Sequence, residues 1–143
     1  MKNALDKNTS EAILAERNAA YEFKKQGDYA QAELHYLKAW ALFPEPKYEW
    51  GWSQDTIYSI SNFYLELKNF EKALHWAELV FKTNPLPGDG APYVMLGKIY
   101  FESDKIDLAF ENFKKAFLLA GKRAFEGEDK KYLDFYKERA ARK

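Results

Sequence analysis

Cysteine is absent from the 143-residue chain, histidine occurs only twice, and neither sign of charge is in excess, since 22 Lys and Arg balance 22 Asp and Glu. Without cysteine the chain cannot form disulfides, thiolate zinc sites or a cysteine nucleophile. Proteins that bind nucleic acid or anionic membranes usually show a basic excess. The composition therefore predicts a chain with neither a nucleic-acid nor a membrane partner.

Long apolar runs are lacking as well. Residues 1–10 are polar and contain no apolar stretch of the kind found in signal peptides. No run approaches the roughly 20 apolar residues that span a membrane. We therefore expect a soluble protein that acts in the cytoplasm.

Residues for catalysis or metal binding are also scarce. His35 and His75 lie 40 positions apart, and no carboxylate–histidine pair recurs at the spacing of metal ligands. The segment Gly88-Asp89-Gly90 lacks the third glycine of a dinucleotide-binding loop and the Lys-Ser/Thr of a phosphate-binding loop. We expect no enzymatic activity, no catalytic residue, no metal ligand and no cofactor.

Aromatic residues, in contrast, make up 17% of the chain, and one sequence pattern occurs three times. Each copy has a turn, then an aromatic residue or isoleucine, and three residues later an alanine. The copies are Gly27–Ala32, Lys68–Ala73 and Asp104–Ala109. The alanines are 41 and 36 positions apart, which fits a repeat of about 34 residues with seven and two extra residues between copies.

Each copy also predicts two amphipathic helices, one on either side of the turn, because apolar residues recur at i, i+3, i+4 and i+7. In the third copy the first helix carries Tyr93, Leu96, Gly97 and Tyr100. No segment alternates apolar and polar residues over the length of a strand, so we expect no β-sheet.

This pattern resembles the tetratricopeptide repeat family, most clearly in the third copy, with Leu96-Gly97, Tyr100, Ala109 and Phe113. The first copy has Ala19-Ala20 where Leu-Gly is usual. The resemblance implies an all-α, right-handed helical-hairpin solenoid of three repeats in a single domain, residues 1–143. The expected repeats lie at about 13–46, 54–87 and 90–123, followed by a C-terminal capping helix at about 128–142.

The ends of the helices can also be assigned. Ser10 and Ser53 are the expected N-caps of the first and third helices. The C-terminal helix has Tyr132, Phe135 and Tyr136 on one face, which would cover the apolar face of the last repeat.

An aromatic insertion, residues 47–53, separates the first two repeats. It contains Trp50 and Trp52. Exposed tryptophan is unusual without a role, so these residues either pack back onto the protein or contact a partner.

A binding surface is implied by the family's architecture, in which the first helix of each repeat lines a concave face. Aromatic residues and long hydrogen-bond donors on that face are typical of protein-binding hot spots. The candidate partner-binding residues are Arg17, Tyr21, Lys24, Tyr58, Asn62, Lys98 and Phe101, together with Trp50 and Trp52. The alternative is a groove that is only solvated, or one that is filled by the C-terminal helix.

Some members of this family bind the C-terminal carboxylate of chaperones through a clamp of Lys, Asn and Arg. Here only Arg17 matches, because Tyr21, Ser59, Ala91 and Met95 occupy the other clamp positions. The resemblance therefore argues against an adaptor for heat-shock chaperones.

Two segments, 44–50 and 125–133, resemble parts of short bacterial repeat proteins that serve as immunity proteins in toxin loci, with Lys130 where proline is usual. The function we expect is a non-catalytic protein-binding module that neutralises a cognate toxin by covering its active site. The alternative is a peptide-docking adaptor or scaffold in a larger assembly. A further alternative is a regulator that acts through the basic tail Lys137, Arg139, Arg142 and Lys143.

Overall fold

The computed structural model describes residues 4–142, and all regular elements in that range are helices. The α-helices are α1 (Lys7–Lys25), α2 (Tyr29–Ala41), α3 (Ser53–Glu66), α4 (Phe70–Leu79), α5 (Ala91–Glu102), α6 (Ile106–Ala120) and α7 (Lys130–Ala141). Short 3₁₀ helices lie at Lys47–Glu49, Val80–Thr83 and Gly121–Phe125. Within residues 4–142 no helix is long and apolar enough to cross a membrane. The expectation of an all-α chain of helical hairpins is confirmed.

The chain forms two compact units, Met1–Ile60 and Ser61–Lys143, so the boundary falls inside α3. The first unit contains the hairpin of α1 and α2, and the second contains the hairpin of α5 and α6. In the second unit the Ser61 hydroxyl on α3 donates to the Ala73 carbonyl on α4 at 2.8 Å, which joins these two helices. Residues 4–142 contain three helix pairs, α1–α2, α3–α4 and α5–α6, whereas the repeat boundaries and the single domain over residues 1–143 stay predictions.

The first helix of each pair ends in the same left-handed turn. Gly27, Lys68 and Asp104 follow α1, α3 and α5 with φ angles of 81°, 60° and 63°. The next residue's N–H donates to the carbonyl five residues earlier: Asp28 to Phe23, Asn69 to Tyr64, and Lys105 to Tyr100, at 2.8–2.9 Å. This Schellman arrangement normally uses glycine, which has no Cβ to clash. Two of the three turns therefore place a side chain in a conformation that costs about 1 kcal/mol.

The second helices of the first two pairs begin with a side-chain cap. Asp28 accepts from the backbone N–H of Gln31 at the start of α2, and Asn69 accepts from that of Lys72 at the start of α4, both at 3.2 Å. Each cap satisfies one of the backbone donors that a helix leaves unpaired at its N-terminus.

The two predicted serine caps are wrong. The Asp6 carboxylate accepts from the Thr9 N–H at 2.8 Å and from the Thr9 hydroxyl at 3.0 Å, so α1 begins one turn before the predicted cap. Ser10 lies inside that first turn, and its hydroxyl donates to the Asp6 carbonyl. Ser53 is the first residue of α3, and its hydroxyl donates to the Lys47 carbonyl at 2.5 Å instead of capping the helix.

A glycine allows α5 and α6 to approach closely. Gly97 lies within α5 and faces the Phe113 ring on α6; a Cβ at this position would lie 2.5 Å from Cδ1 of the ring and nearer still to Cε1. The ring is fully buried and packs against Phe125, Tyr132 and Phe135. Because neighbouring rings surround Phe113, it has no room to move aside, and this crossing requires glycine.

The C-terminal helix closes the core of the second unit, as predicted. α7 begins directly after Asp129, whose carboxylate caps it by accepting from the Lys131 N–H at 3.0 Å. Tyr132 and Tyr136 are buried, and Phe135 packs against the same cluster. The capping helix is confirmed, with a start two residues later than expected.

Candidate functional site

In the first unit, Arg17 connects α1 to the start of α3. Its guanidinium donates to Asp55 Oδ2 at 2.8 Å, to the Ser59 hydroxyl at 3.1 Å and to the Thr56 hydroxyl at 3.4 Å. The Arg17 side chain is 19% exposed, whereas that of Asp55 is 70% exposed. The arginine is thus already bound by its neighbours, and the carboxylate is the charged group that faces solvent.

A cleft of about 380 Å³ surrounds this ion pair. Three large apolar side chains in its lining, Leu14, Tyr21 and Trp52, are 45%, 50% and 37% exposed. Leu14 and Tyr21 lie on one stripe of α1, with Asn18 and Arg17 between them, because residues at i, i+3, i+4 and i+7 share a helix face. The cleft therefore presents an apolar rim around a central ion pair.

Two lysines lie over the ring of Tyr21. The ammonium groups of Lys24 and Lys25 are 5.3 and 5.2 Å from its centroid, within the range of cation–π interaction. Of the predicted partner-binding residues, the structure thus brings Arg17, Tyr21 and Trp52 to the cleft and places Lys24 against Tyr21.

The aromatic insertion places its two tryptophans differently. Trp50 packs on the buried cluster that contains Ile13 and Phe43, and its indole N–H donates to the Pro44 carbonyl at 2.7 Å. Trp52 lines the cleft. Of the two alternatives for the insertion, packing back therefore describes Trp50, and a solvent-facing position describes Trp52.

Lys47 fixes the beginning of the insertion to the end of α2. Its ammonium group donates to the carbonyls of Trp40 at 3.0 Å, Phe43 at 2.9 Å and Ala41 at 3.4 Å. A lysine at this place satisfies carbonyls that the helix leaves unpaired and complements the negative end of its dipole. The segment that leads to the cleft is thereby held in one conformation.

The remaining candidate of the first unit and one histidine lie elsewhere. Tyr58 is half-buried on α3. His35 Nδ1 lies 2.5 Å from Glu16 Oε1, and its ring stacks on Phe23, a pairing between α1 and α2 that sequence spacing did not indicate. Within residues 4–142 no group of three or more His, Asp or Glu residues is placed to bind a metal ion.

In the second unit, Lys98 is enclosed. The residue is 8% exposed, and its ammonium group lies 2.7 Å from Glu128 Oε1 and 3.3 Å from Asn62 Oδ1. Asn62 and Lys98, both predicted to contact a partner, thus meet in a cleft of about 370 Å³, with Glu128 provided by the segment before α7.

Phe101 is contacted by α7. Its ring centroid lies 5.4 Å from that of Tyr132 and 5.1 Å from that of Phe135, both in edge-to-face geometry. α7 and the segment before it therefore occupy the surface at Lys98 and Phe101. This arrangement corresponds to the alternative of a groove filled by the C-terminal helix.

Glu102 joins α5 to α7 in a polar network. Its carboxylate accepts from the Tyr132 hydroxyl at 2.7 Å and lies 2.9 Å from the Lys131 ammonium group. Partial burial raises the pKa of Glu102, but the hydrogen bonds from Tyr132 and Lys131 together lower it by more, so the net pKa lies below its ordinary value. Burial and, second, the hydrogen bond to Glu102 raise the pKa of Tyr132.

Two of the four residues of the basic tail are paired within the second unit. Arg139 lies 2.6 Å from an Asp107 carboxylate oxygen and over the Phe110 ring, and Arg142 lies 3.6 Å from Glu138. Lys143 lies outside the described residues. Of the charge that a regulator would present, that of Arg139 and Arg142 is therefore paired.

The lining residues that sequence reasoning missed include Asn18, Glu102 and Glu128. Helical period would have found two of them, because Asn18 follows Leu14 by four positions and Glu102 follows Lys98 by four. No such signal exists for Glu128, which is 30 positions from Lys98 in the sequence.

Comparisons with known proteins agree with this architecture. The sequence profile of the tetratricopeptide repeat family matches residues 91–123, which contain α5 and α6. Comparison with curated proteins gives no match. Among solved structures, the N-terminal domain of stress-induced protein-1 (STI-1) from C. elegans is similar, with a TM-score of 0.66 and 20% identity over 93% of this chain and 98% of that one. Residues 91–123 therefore carry the sequence pattern of the tetratricopeptide repeat family, and the chain shares the fold of the similar structure.

Proposed function

We propose that the chain is a non-catalytic protein-binding module that contacts its partner through the cleft of the first unit. The observation that carries this proposal is the exposure of Leu14, Tyr21 and Trp52 around the ion pair of Arg17 and Asp55. Large apolar side chains grouped at a surface mark contact sites, and tyrosine, tryptophan and arginine are the residues most enriched in binding hot spots.

The charges of the cleft favour a particular kind of contact. Arg17 is bound by Asp55, so an incoming carboxylate would compete with Asp55 for the arginine and be repelled by it. Asp55 faces solvent, so a basic group or another hydrogen-bond donor finds an acceptor there. We expect the partner to place an apolar side chain between Leu14, Tyr21 and Trp52, next to a donor that reaches Asp55.

The narrower proposal is that the partner is a bacterial toxin, neutralised when this protein covers its active site. Such occlusion requires a surface that is rigid before binding, because ordering a loop on contact lowers affinity. The segment 44–50, which resembles immunity proteins, meets this requirement, since Lys47 and Trp50 attach it to α2 and the core. The segment 125–133 is also fixed, since Phe125 and Tyr132 are buried.

The alternative is a peptide-docking adaptor. An extended peptide bound along the first helices would need Lys98 and Phe101, which Glu128, Tyr132 and Phe135 already contact. This occupation favours a folded partner over a long extended peptide. The adaptor proposal is therefore limited to a short peptide that binds only in the cleft of the first unit.

Co-purification tests the binding proposal. The tagged protein is expressed in its source cells, captured, and its partner identified by mass spectrometry. The partner's affinity is then measured for Leu14→Ser, Tyr21→Ala and Trp52→Ala, with Tyr29→Ala as the matched control, because Tyr29 is 48% exposed in the same unit and does not line the cleft. We expect a loss of about 30-fold for Tyr21→Ala and little change for the control.

Circular dichroism shows whether each variant is folded. Wild-type affinity in all three cleft variants would refute the cleft as the binding site. Equal losses in Tyr29→Ala and Tyr21→Ala would show that the measured effect is not specific to the cleft.

Bacterial growth tests the toxin proposal separately. The identified partner is expressed from an inducible promoter, alone or with this protein. We expect growth arrest that the wild-type protein relieves and Tyr21→Ala does not. A partner that binds through the cleft but has no effect on growth would exclude immunity and leave the adaptor.

We also propose that binding occurs in the cytoplasm and needs no metal or cofactor. The lack of cysteine and the scarcity of histidine support this. Partner affinity should be unchanged after dialysis against a chelator, whereas a loss restored by added zinc would contradict the proposal.

A further inference from the structure

The end of the third repeat carries an exposed basic patch, defined by Lys114, Lys115, Leu118, Leu119, Lys122 and Arg123. These residues lie in the last turns of α6 and in the 3₁₀ helix that follows it. All six are exposed, and Leu118 is 74% exposed. Two leucines therefore lie among four cations in a segment about 15 Å long.

The cations of the basic patch have no ion-pair partner within residues 4–142. No aspartate or glutamate occurs between Glu111 and Glu126. The Lys115 ammonium group lies over the Tyr93 ring, 5.6 Å from its centroid. Other cations of the same unit are paired, for example Lys98 with Glu128. The positive charge of the patch is therefore uncompensated.

The backbone beneath the basic patch is held in place. Gly90, before α5, lies against Ala116 and Ala124, so closely that a Cβ there would be 2.9 Å from the Ala124 methyl group. Ala116 and Phe125 are buried in the core of the unit. The six side chains therefore project from a fixed base, and a partner need not order this segment when it binds.

We infer that the basic patch is a second protein-binding surface, for an acidic partner that packs an apolar side chain against Leu118. The four cations complement carboxylates, and leucines among charges match an interface with an apolar centre and a polar rim. A membrane surface fits less well, because inserting helices carry a broader apolar face, often with Trp or Phe, and this patch has no aromatic residue. Nucleic acid would leave both leucines without a contact.

Fluorescence anisotropy with two labelled peptides tests this inference. In one peptide every fourth residue is leucine and the others are glutamate; in the second, serine replaces leucine. The full-length protein should bind the leucine peptide more tightly than the serine peptide. The variant Lys114→Gln, Lys115→Gln, Lys122→Gln, Arg123→Gln should bind both peptides at least about tenfold more weakly. Leu118→Ser should abolish the difference between the two peptides.

The matched control replaces four exposed lysines outside the basic patch with glutamine: Lys7, Lys38, Lys105 and Lys130. This variant has the same net charge as the patch variant and should change affinity by less than about twofold. Equal weakening in the two charge variants would overturn the inference, because net charge alone would then explain binding. An unchanged preference for the leucine peptide in Leu118→Ser would overturn the apolar contact.

Phosphatidylcholine–phosphatidylserine vesicles and poly(dT) distinguish the other macromolecules. If wild-type protein binds either of them through the patch cations and binds neither peptide, the acidic-protein inference is wrong. The cleft variant Tyr21→Ala should bind both peptides like wild type. The experiments on the basic patch and those on the cleft can therefore fail independently of each other.

Discussion

Replacing Gly97 with alanine should destabilise the protein, although alanine is the better helix former. The added methyl group would lie 2.5 Å from Cδ1 of the buried Phe113 ring, well inside the usual carbon–carbon contact of about 3.5–4.0 Å. An extra methyl in a packed core costs roughly 1–3 kcal/mol, and surrounding rings prevent Phe113 from moving, which favours the upper end. The higher helix propensity of alanine offsets about 1 kcal/mol of this loss. The net loss should be about 2 kcal/mol, or roughly 4–8 °C in Tm.

Urea and thermal unfolding followed by circular dichroism measure this loss. Gly88→Ala is the matched control, because no heavy atom lies within 4 Å of a Cβ there, and its stability should differ little from wild type. Phe113→Leu removes the clash at the cost of a cavity, so Gly97→Ala should be less damaging in that background than in wild type. A Gly97→Ala variant as stable as wild type would refute the reasoning, because the α5–α6 crossing would then have space for a side chain.

Three further predictions concern other parts of the chain. Asp104→Gly should raise the free energy of unfolding by about 0.5–1 kcal/mol, and Gly27→Ala should lower it by about 1 kcal/mol, because both residues have a left-handed φ; opposite signs in urea titrations would contradict this. Lys47→Met should lower the free energy of unfolding, measured by urea titration, by about 1–2 kcal/mol, because it removes a donor to three carbonyls. Lys38→Met, on the exposed side of α2, should leave it unchanged. Since the pKa of Glu102 is lowered in the fold, its stabilisation is present above its ordinary pKa and is lost as pH falls through the lowered value. Glu102→Gln should therefore flatten the loss of stability that follows as the pH falls below the ordinary pKa of glutamate, and a variant with the wild-type pH profile would show that the network contributes nothing.

The repeats could be predicted because their signal is local and periodic. Ala32, Ala73 and Ala109, which define the repeat, are all fully buried. At these positions a small side chain is needed wherever two helices meet, so the requirement is visible in the sequence itself. The aromatic face of the last helix was visible for the same reason.

Choices between equivalent groups could not be predicted. Asp6 and Ser10 are both good N-cap residues, and Asp6 prevails because Thr9 donates to its carboxylate twice. The same limit applies to the ion pairs. Lys98 meets Glu128 only because residues 121–129 bring that carboxylate back to α5, and no sequence period encodes the route of such a connection.

The position of α7 also determines where the chain could gain a repeat. A helical hairpin exposes the same kind of apolar face at each end, so an array has no inherent length and can grow by duplication of one unit. Here Tyr132, Phe135 and Tyr136 occupy the face on which a fourth helical hairpin would pack. The opposite side of α7 offers Lys130, Asp134, Lys137 and Glu138, all exposed, to which no apolar hairpin can attach. A repeat added by duplication must therefore be inserted before α7, which then still covers the last hairpin.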